Sequence, residues 1–225
     1  VRDLDAAVLW PKIWTALLQT LQMVTVSFVL ATVLGVVLGL VLYSTRRGNL
    51  LQNAAVFTTL NAVINVIRPI PFIILIVAIS PLTRVVIGTS IGTGAAIFAL
   101  TIVATFSIAR IAETNLVAVD RGSVEAGAAM GASPLRVLIT IVVPEALGPL
   151  VLGLTYIFVA LVDATAVAGL VGGGGLGNLA ITYGYQRFDT VVMVTVIVLI
   201  IVLVQVAQLL GNVVARTVLH ETASA

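Results

Sequence analysis

The run VEAGAAMGASPLRVLITIVVP, Val124 to Pro144, decides how the chain is read. It is the longest stretch that cannot simply lie in lipid. Glu125 to Met130 is Ala-rich and predicts a turn or two of helix, with Glu125 near its start, where an anionic side chain suits the helix dipole. Gly131 ends that helix, as a glycine just past a helix end commonly does. Ser133 and Pro134 then open a second helix, the serine as N-cap and the proline at the first helical position. Arg136 is the last charge before the chain turns apolar. The stretch therefore predicts a short surface helix, a glycine bend and a return into a membrane. The plainer alternative is an interfacial amphipathic helix that only links two spans.

Composition supports the membrane half of that reading. The 225 residues are 60% hydrophobic and only 9% charged, against about 25% charged in ordinary soluble domains. The formal charge of +2 is small, and no basic tract with interleaved aromatics points to nucleic acid. Without cysteine there is no disulfide, thiolate or zinc–cysteine chemistry, and the single histidine, His220, rules out a multi-histidine metal site. The sequence opens on Val1, and no cleavable signal is evident, because the first apolar run is too long for one.

Taken in order, Val1 to Lys12 is a mixed head (Arg2, Asp3, Asp5, Lys12) in which Trp10 and Trp14 flank Pro11, as at a membrane–water boundary. Trp14 to Tyr43 predicts a first span, with Gly35 and Gly39 as a close-packing GxxxG step. Arg46-Arg47 suggests the cytoplasmic side. Ala54 to Ser80 is apolar but broken at Arg68-Pro69-Ile70-Pro71, which predicts either a kinked span or a helix lying along the boundary. Pro81 to Gly94 reads as an outer connection. Ala95 to Ile111 is a third span, ended by Arg110 and Glu113. Glu145 to Leu170 is a fourth, Val171 to Asp189 a glycine-rich link, and Thr190 to Val214 a fifth. With the Val124–Pro144 loop inside, six arginines (46, 47, 110, 121, 136, 216) fall on the cytoplasmic side against four cations (Arg2, Lys12, Arg84, Arg187) outside, a bias in the expected direction. The start is then outside and the tail inside.

Gly172, Gly174 and Gly177 match G-x-G-x-x-G, yet membrane spans flank them where a dinucleotide site needs a strand and a later acid. Close helix packing or a flexible outer gate suits them better. No phosphate-binding P-loop exists anywhere in the chain, and no Ser/His/Asp or Cys/His set is available, so catalysis is not expected of this polypeptide. Asp163 is the one acid deep in an apolar run. At the bilayer centre a lipid-facing carboxylate costs about 2.5–3.5 kcal/mol, so Asp163 is expected to face the interior or a water-filled path, to be a structural acid bonded to Thr165 or a neighbouring helix, or to sit nearer the wet outer end. Asp163, Ser107 and Arg68 are the candidates for a substrate path.

The Glu125-Ala126-Gly127 run, with Gly131 six residues after Glu125 and Pro144 beyond, resembles the "EAA" loop of binding-protein-dependent ABC importer permeases. With INVIRPIPFIILIVAISPLTRVVIGTSIG (Ile64 to Gly92) and VGGGGLGNLAITYGY (Val171 to Tyr185), the likeness extends from about Trp14 to Arg216 and is most similar to the methionine branch. That resemblance implies an all-α integral membrane permease of type I, with five transmembrane helices per subunit in a single domain (1–225) and a cytoplasmic coupling loop at about 113–145. It implies a homodimer in the bacterial inner membrane, two ATP-binding subunits that hold ATP and magnesium themselves, and an extracytoplasmic methionine-binding lipoprotein. No cofactor is expected in this chain. The ATPase-coupling residues implied are Glu125, Ala126, Gly127, Ala128, Met130, Gly131 and Pro144. Gly127 stands where the wider motif has alanine, and Asp163 where a small neutral residue is expected. The alternatives left open are another small amino acid or a quaternary amine as cargo, an ion-coupled secondary transporter using Asp163, and a structural membrane scaffold.

Overall fold

A computed structural model of the chain describes residues 6–49 and 51–223. Arg2, Asp3 and Asp5 of the head lie outside the described residues, as do the side chains of His220 and Glu221. The described residues form helices and connections without a strand. In chain order the helices are α1 (Ala6–Thr45), α2 (Ala54–Ile67), α3 (Phe72–Ala78), α4 (Ser80–Ile87), α5 (Thr93–Val117), α6 (Arg121–Ala129), α7 (Pro134–Val137), α8 (Val143–Leu170), α9 (Gly175–Leu179) and α10 (Thr190–Ala223). Wide π-helical turns occupy Leu138–Val142 and Ala180–Tyr185.

Four stretches are long and apolar enough to cross a membrane: Leu9–Thr45, Thr93–Val117, Pro134–Leu170 and Thr190–Thr217. The sharply bent pair α2 and α3 makes a fifth if it is one broken span. Helices apolar on every side are what a lipid solvent selects, since each backbone group is satisfied within the helix. The break between α2 and α3 falls on Arg68-Pro69-Ile70-Pro71, where two prolines withhold N–H groups. The two helices meet there at 107°.

The sequence reading is corrected at several edges. Helix α1 begins before Trp10, so the segment from Ala6 to Lys12 is helical rather than a separate boundary piece. Helix α4 occupies much of the stretch expected as an outer connection, and α9 most of the middle of the glycine-rich link. Helix α5 runs on to Val117, so Arg110 and Glu113 lie within it and do not end it.

Cα packing separates the chain into two units. The first comprises the residues up to Leu30, Ile70–Ala104 and Phe158–Ala207. Its core joins Ile13 and Ala16 of α1 to Leu176 and Leu179 of α9 and to Val192 and Val196 of α10. The glycine-rich link supplies close approach here. A Cβ on Gly177 would stand 2.4 Å from Ala166 Cα, so α9 meets the end of α8 backbone to backbone. The start of α9 is satisfied from α1: Gly175 N–H donates to Gln19 Oε1 and Leu176 N–H to Thr20 Oγ1, both at 2.8 Å.

The second unit comprises Ala31–Pro69, Thr105–Ile157 and the residues from Gln208 on. Here the GxxxG expectation holds. A Cβ on Gly35 would stand 2.7 Å from Ile108 Cβ, and one on Gly39 2.5 Å from Ala112 Cβ, so α1 presses directly on α5. Leu42, Ile64 and Ala109 close one core of this unit. Tyr43, Leu116, Val119, Val137, Leu138, Val142 and Ala146 form another, beneath α6 and α7.

Candidate functional site

Helix α6 starts earlier than its alanines suggest. Asp120 is its N-cap, with Oδ2 accepting from Ser123 N–H at 3.0 Å. Glu125 is therefore the fifth helical residue, away from the first turn, and the dipole role expected of it passes to Asp120. At the other end Ala132 N–H donates to Gly127 O at 3.2 Å and Gly131 N–H to Ala128 O at 3.0 Å. This pair of bonds is a Schellman closure, and it requires the left-handed conformation that Gly131 adopts at φ +81°. Ser133 then caps α7, Oγ accepting from Arg136 N–H at 3.4 Å, with Pro134 in the first helical position.

The elbow so formed has an inner and an outer face. Gly127 is buried, and a Cβ there would meet Ile141 Cδ1 at 2.6 Å. It serves the packing of α6 onto the helix that follows. Glu125, Ala126, Ala128 and Met130 are exposed, Met130 at 81%. Their side chains, small apart from Glu125 and Met130, present a low surface with one acid. Pro144 is not on this surface. It sits half-buried in the first turn of α8, directly after the wide turn Leu138–Val142. Proline has no N–H to bond four residues back, and Val143 N–H reaches five residues back to Leu138 O.

A polar knot in the same unit was not anticipated. Arg110 Nη1 donates to Glu113 Oε2 at 2.5 Å, and its Nη2 donates to Asn61 Oδ1 at 2.7 Å and Asn65 Oδ1 at 2.6 Å. Arg46 Nη1 stands 3.8 Å from Glu113 Oε1. One guanidinium thus ties α2 to α5, and the buried carboxylate faces two arginines. The spacing of Arg110 and Glu113, one helical turn, was the signal available; reading them as a span end concealed it.

The three path candidates are not gathered in one unit. Asp163 belongs to the first, where it is exposed on α8 while Thr165 Oγ1 donates to Val162 O at 2.6 Å and not to the acid. Ser107, half-buried on α5, and Arg68, exposed at the end of α2, belong to the second.

Residues 31–220 match the family described as binding-protein-dependent transport system inner membrane component. This chain belongs to that family. The match takes in the elbow, both of its flanking helices and the polar knot. Among its relatives, a Vibrio cholerae protein named probable D-methionine transport system permease protein MetI is 44% identical, over 92% of each chain. The methionine import system permease protein MetP of Bacillus subtilis is 39% identical, over 92% of this chain and 93% of that one. A solved structure of the MetNI methionine ABC transporter, in an inward-facing conformation, superposes with a TM-score of 0.91 at 40% identity, covering 96% of this chain and 99% of that one. As a family member the chain is an inner-membrane, multi-pass transport component with the all-α fold of a type I ABC importer permease.

Proposed function

We propose that this chain is the transmembrane permease subunit of an ATP-driven importer that carries methionine, D- or L-, into the cell by alternating access. It works as a homodimer. Two ATP-binding subunits seat against Glu125, Ala126, Ala128 and Met130 and supply ATP, magnesium and hydrolysis, while Gly127 and Gly131 shape the elbow from behind. An extracytoplasmic lipoprotein delivers the amino acid. The whole chain, 1–225, acts as one permease domain with its coupling loop at about 113–145, its start outside and its tail in the cytoplasm.

The observation that carries this reading is the elbow itself: an exposed helix of small residues, capped at both ends and braced by the buried Tyr43–Ala146 cluster. A braced, low surface can pass a push into the spans; a floppy one would absorb it. The likeness to permeases named for methionine supports the cargo.

Asp163 is exposed on a span-length helix. A lipid-facing carboxylate at the bilayer centre would cost about 2.5–3.5 kcal/mol; with Asp163 seven residues before the end of α8, we read this side of the helix as facing an aqueous passage. Facing a passage, Asp163 attracts the substrate's ammonium group.

The test is uptake in vesicles holding the permease with the ATPase that co-purifies with it. Methionine should accumulate with ATP inside and no proton gradient. Uptake driven by a proton gradient without ATP, and abolished by Asp163→Asn, would establish an ion-coupled transporter and overturn the proposal.

A further inference from the structure

Beside the elbow, in the second unit, lies a small pocket of about 130 Å³. Its polar lining is Tyr43 from the end of α1, Arg46, Arg47 and Asn49 from the turn that follows, and Arg121 and Glu125 from α6. Three guanidinium groups thus face one carboxylate. Arg46 is partly engaged, 3.8 Å from the buried Glu113. Among the described residues neither Arg47 nor Arg121 is ion-paired, and the nearby Asp120 is occupied in capping α6. The site is an unneutralised cationic hollow of phosphate size. Guanidinium forks match the oxygens of a phosphate better than any other common anion except a carboxylate.

Its surroundings select the kind of phosphate. Its residues 46–49 directly follow the apolar span Leu9–Thr45, where the chain turns polar, and the ends of a span lie near headgroup level. Val117 lines its rim, Leu51 is exposed beyond Arg47, and Val33, Leu34 and Val37 are exposed along α1. Apolar surface next to a cationic hollow suits a molecule that is both: a phosphodiester carrying acyl chains.

We infer that this pocket binds the headgroup phosphate of an anionic phospholipid, held by Arg47 and Arg121, so that a lipid bridges the end of α1 and the start of α6. The inference goes beyond the transport function; it rests on that reading for the side of the membrane, and Glu125 lines both this pocket and the proposed ATPase seat. Clusters of arginine at the cytoplasmic boundary attract anionic lipid generally; the pocket makes the attraction local and gives it two named residues, one in the turn after α1 and one on α6.

The experiment uses the purified permease without any ATPase, in zwitterionic nanodiscs, titrated with short-chain phosphatidylglycerol, short-chain phosphatidylcholine or inorganic phosphate, and read by native mass spectrometry. Phosphatidylglycerol should bind at least tenfold more tightly than phosphatidylcholine. The pair Arg47→Gln with Arg121→Gln should remove most of that preference, and Arg84→Gln, on α4, should leave it intact. Should the double variant misfold, the two single variants at these exposed positions carry the test, each expected to lose about half of the preference on a logarithmic scale. Three results would each overturn the inference: unchanged phosphatidylglycerol preference in the pocket variants, equal loss in Arg84→Gln, or full displacement of the lipid by millimolar phosphate.

Discussion

Arg110 and Glu113 stand one turn apart on α5, Nη1 to Oε2 at 2.5 Å, with the acid only 3% exposed. The carboxylate was taken out of water because the guanidinium came with it. Removing the cation alone leaves a buried charge with only the more distant Arg46 to answer it. Such a loss typically costs about 3–5 kcal/mol. Arg110→Leu should therefore destabilise the protein by about 3 kcal/mol, read from detergent-denaturation midpoints. The double variant Arg110→Leu with Glu113→Leu should recover most of that loss. Equal destabilisation of the single and double variants would show that the knot acts through Asn61 and Asn65 and not through charge.

The α1–α5 contact gives a second expectation. Gly39 has no room for a methyl group, since its Cβ would come within 2.5 Å of Ala112 Cβ. Gly39→Ala should cost about 1–3 kcal/mol, the usual range for overpacking. Combining it with Ala112→Gly moves the methyl group from one helix to the other and should restore much of the stability, which a double-mutant cycle would register.

Gly131 separates two explanations of one bend. Its φ of +81° strains an ordinary residue by about 1–2 kcal/mol, while asparagine tolerates that conformation. Among the described residues, no atom other than those of Gly131 and its chain neighbours lies within 4 Å of a Cβ placed there. Gly131→Asn should thus fold as well as the parent. If the elbow seats in a partner's groove, the same variant should lower ATP-coupled uptake at least tenfold without lowering the amount of protein in the membrane. Wild-type uptake would confine the role of Gly131 to closing α6.

Tyr183 makes a prediction about pH. Its hydroxyl accepts from Lys12 Nζ at 2.8 Å, and its ring lies between Lys12, 4.7 Å from the centroid, and Arg187, 4.5 Å from it. The Lys12 hydrogen bond, helped by the charges of Lys12 and Arg187 and opposed by burial, holds the phenol below its ordinary value, which is near 10. A depressed folded-state value stabilises the fold above the unfolded value, and the effect is lost as pH falls through the folded one. It contributes nothing at neutral pH. Absorbance at 295 nm should show one of the four tyrosines ionising early; Tyr183→Phe should abolish that phase and Lys12→Met should move it upward.

The sequence revealed the elbow because its signals are local. A glycine needing positive φ, a serine before a proline and a run of alanines each act within a few residues, and all three were legible. Helix α6 began four residues before Glu125 because Asp120, a cap with a serine three residues later, lay outside the alanine run on which attention fell. The knot of Arg110 with Asn61, Asn65 and Glu113 was illegible for the opposite reason. Asn61 lies 49 residues from Arg110, and only the packing of α2 on α5 brings them together. Likewise the glycine-rich link hid a helix, since α9 takes its N-terminal bonds from Gln19 and Thr20, more than 150 residues away.

The wide turn at Leu138–Val142 limits how the elbow can move. Tightening it to an ordinary turn would drop one residue from the register and swing everything on one side of it by about 100°. Ile141, inside that turn, fills the hollow left by Gly127, so α6 is keyed to the very residues that would have to rotate. Pro144, lacking a donor, holds the turn open from the other side. Elbow and swivel share the contact of Ile141 on Gly127, so a change of register in the turn would have to displace it.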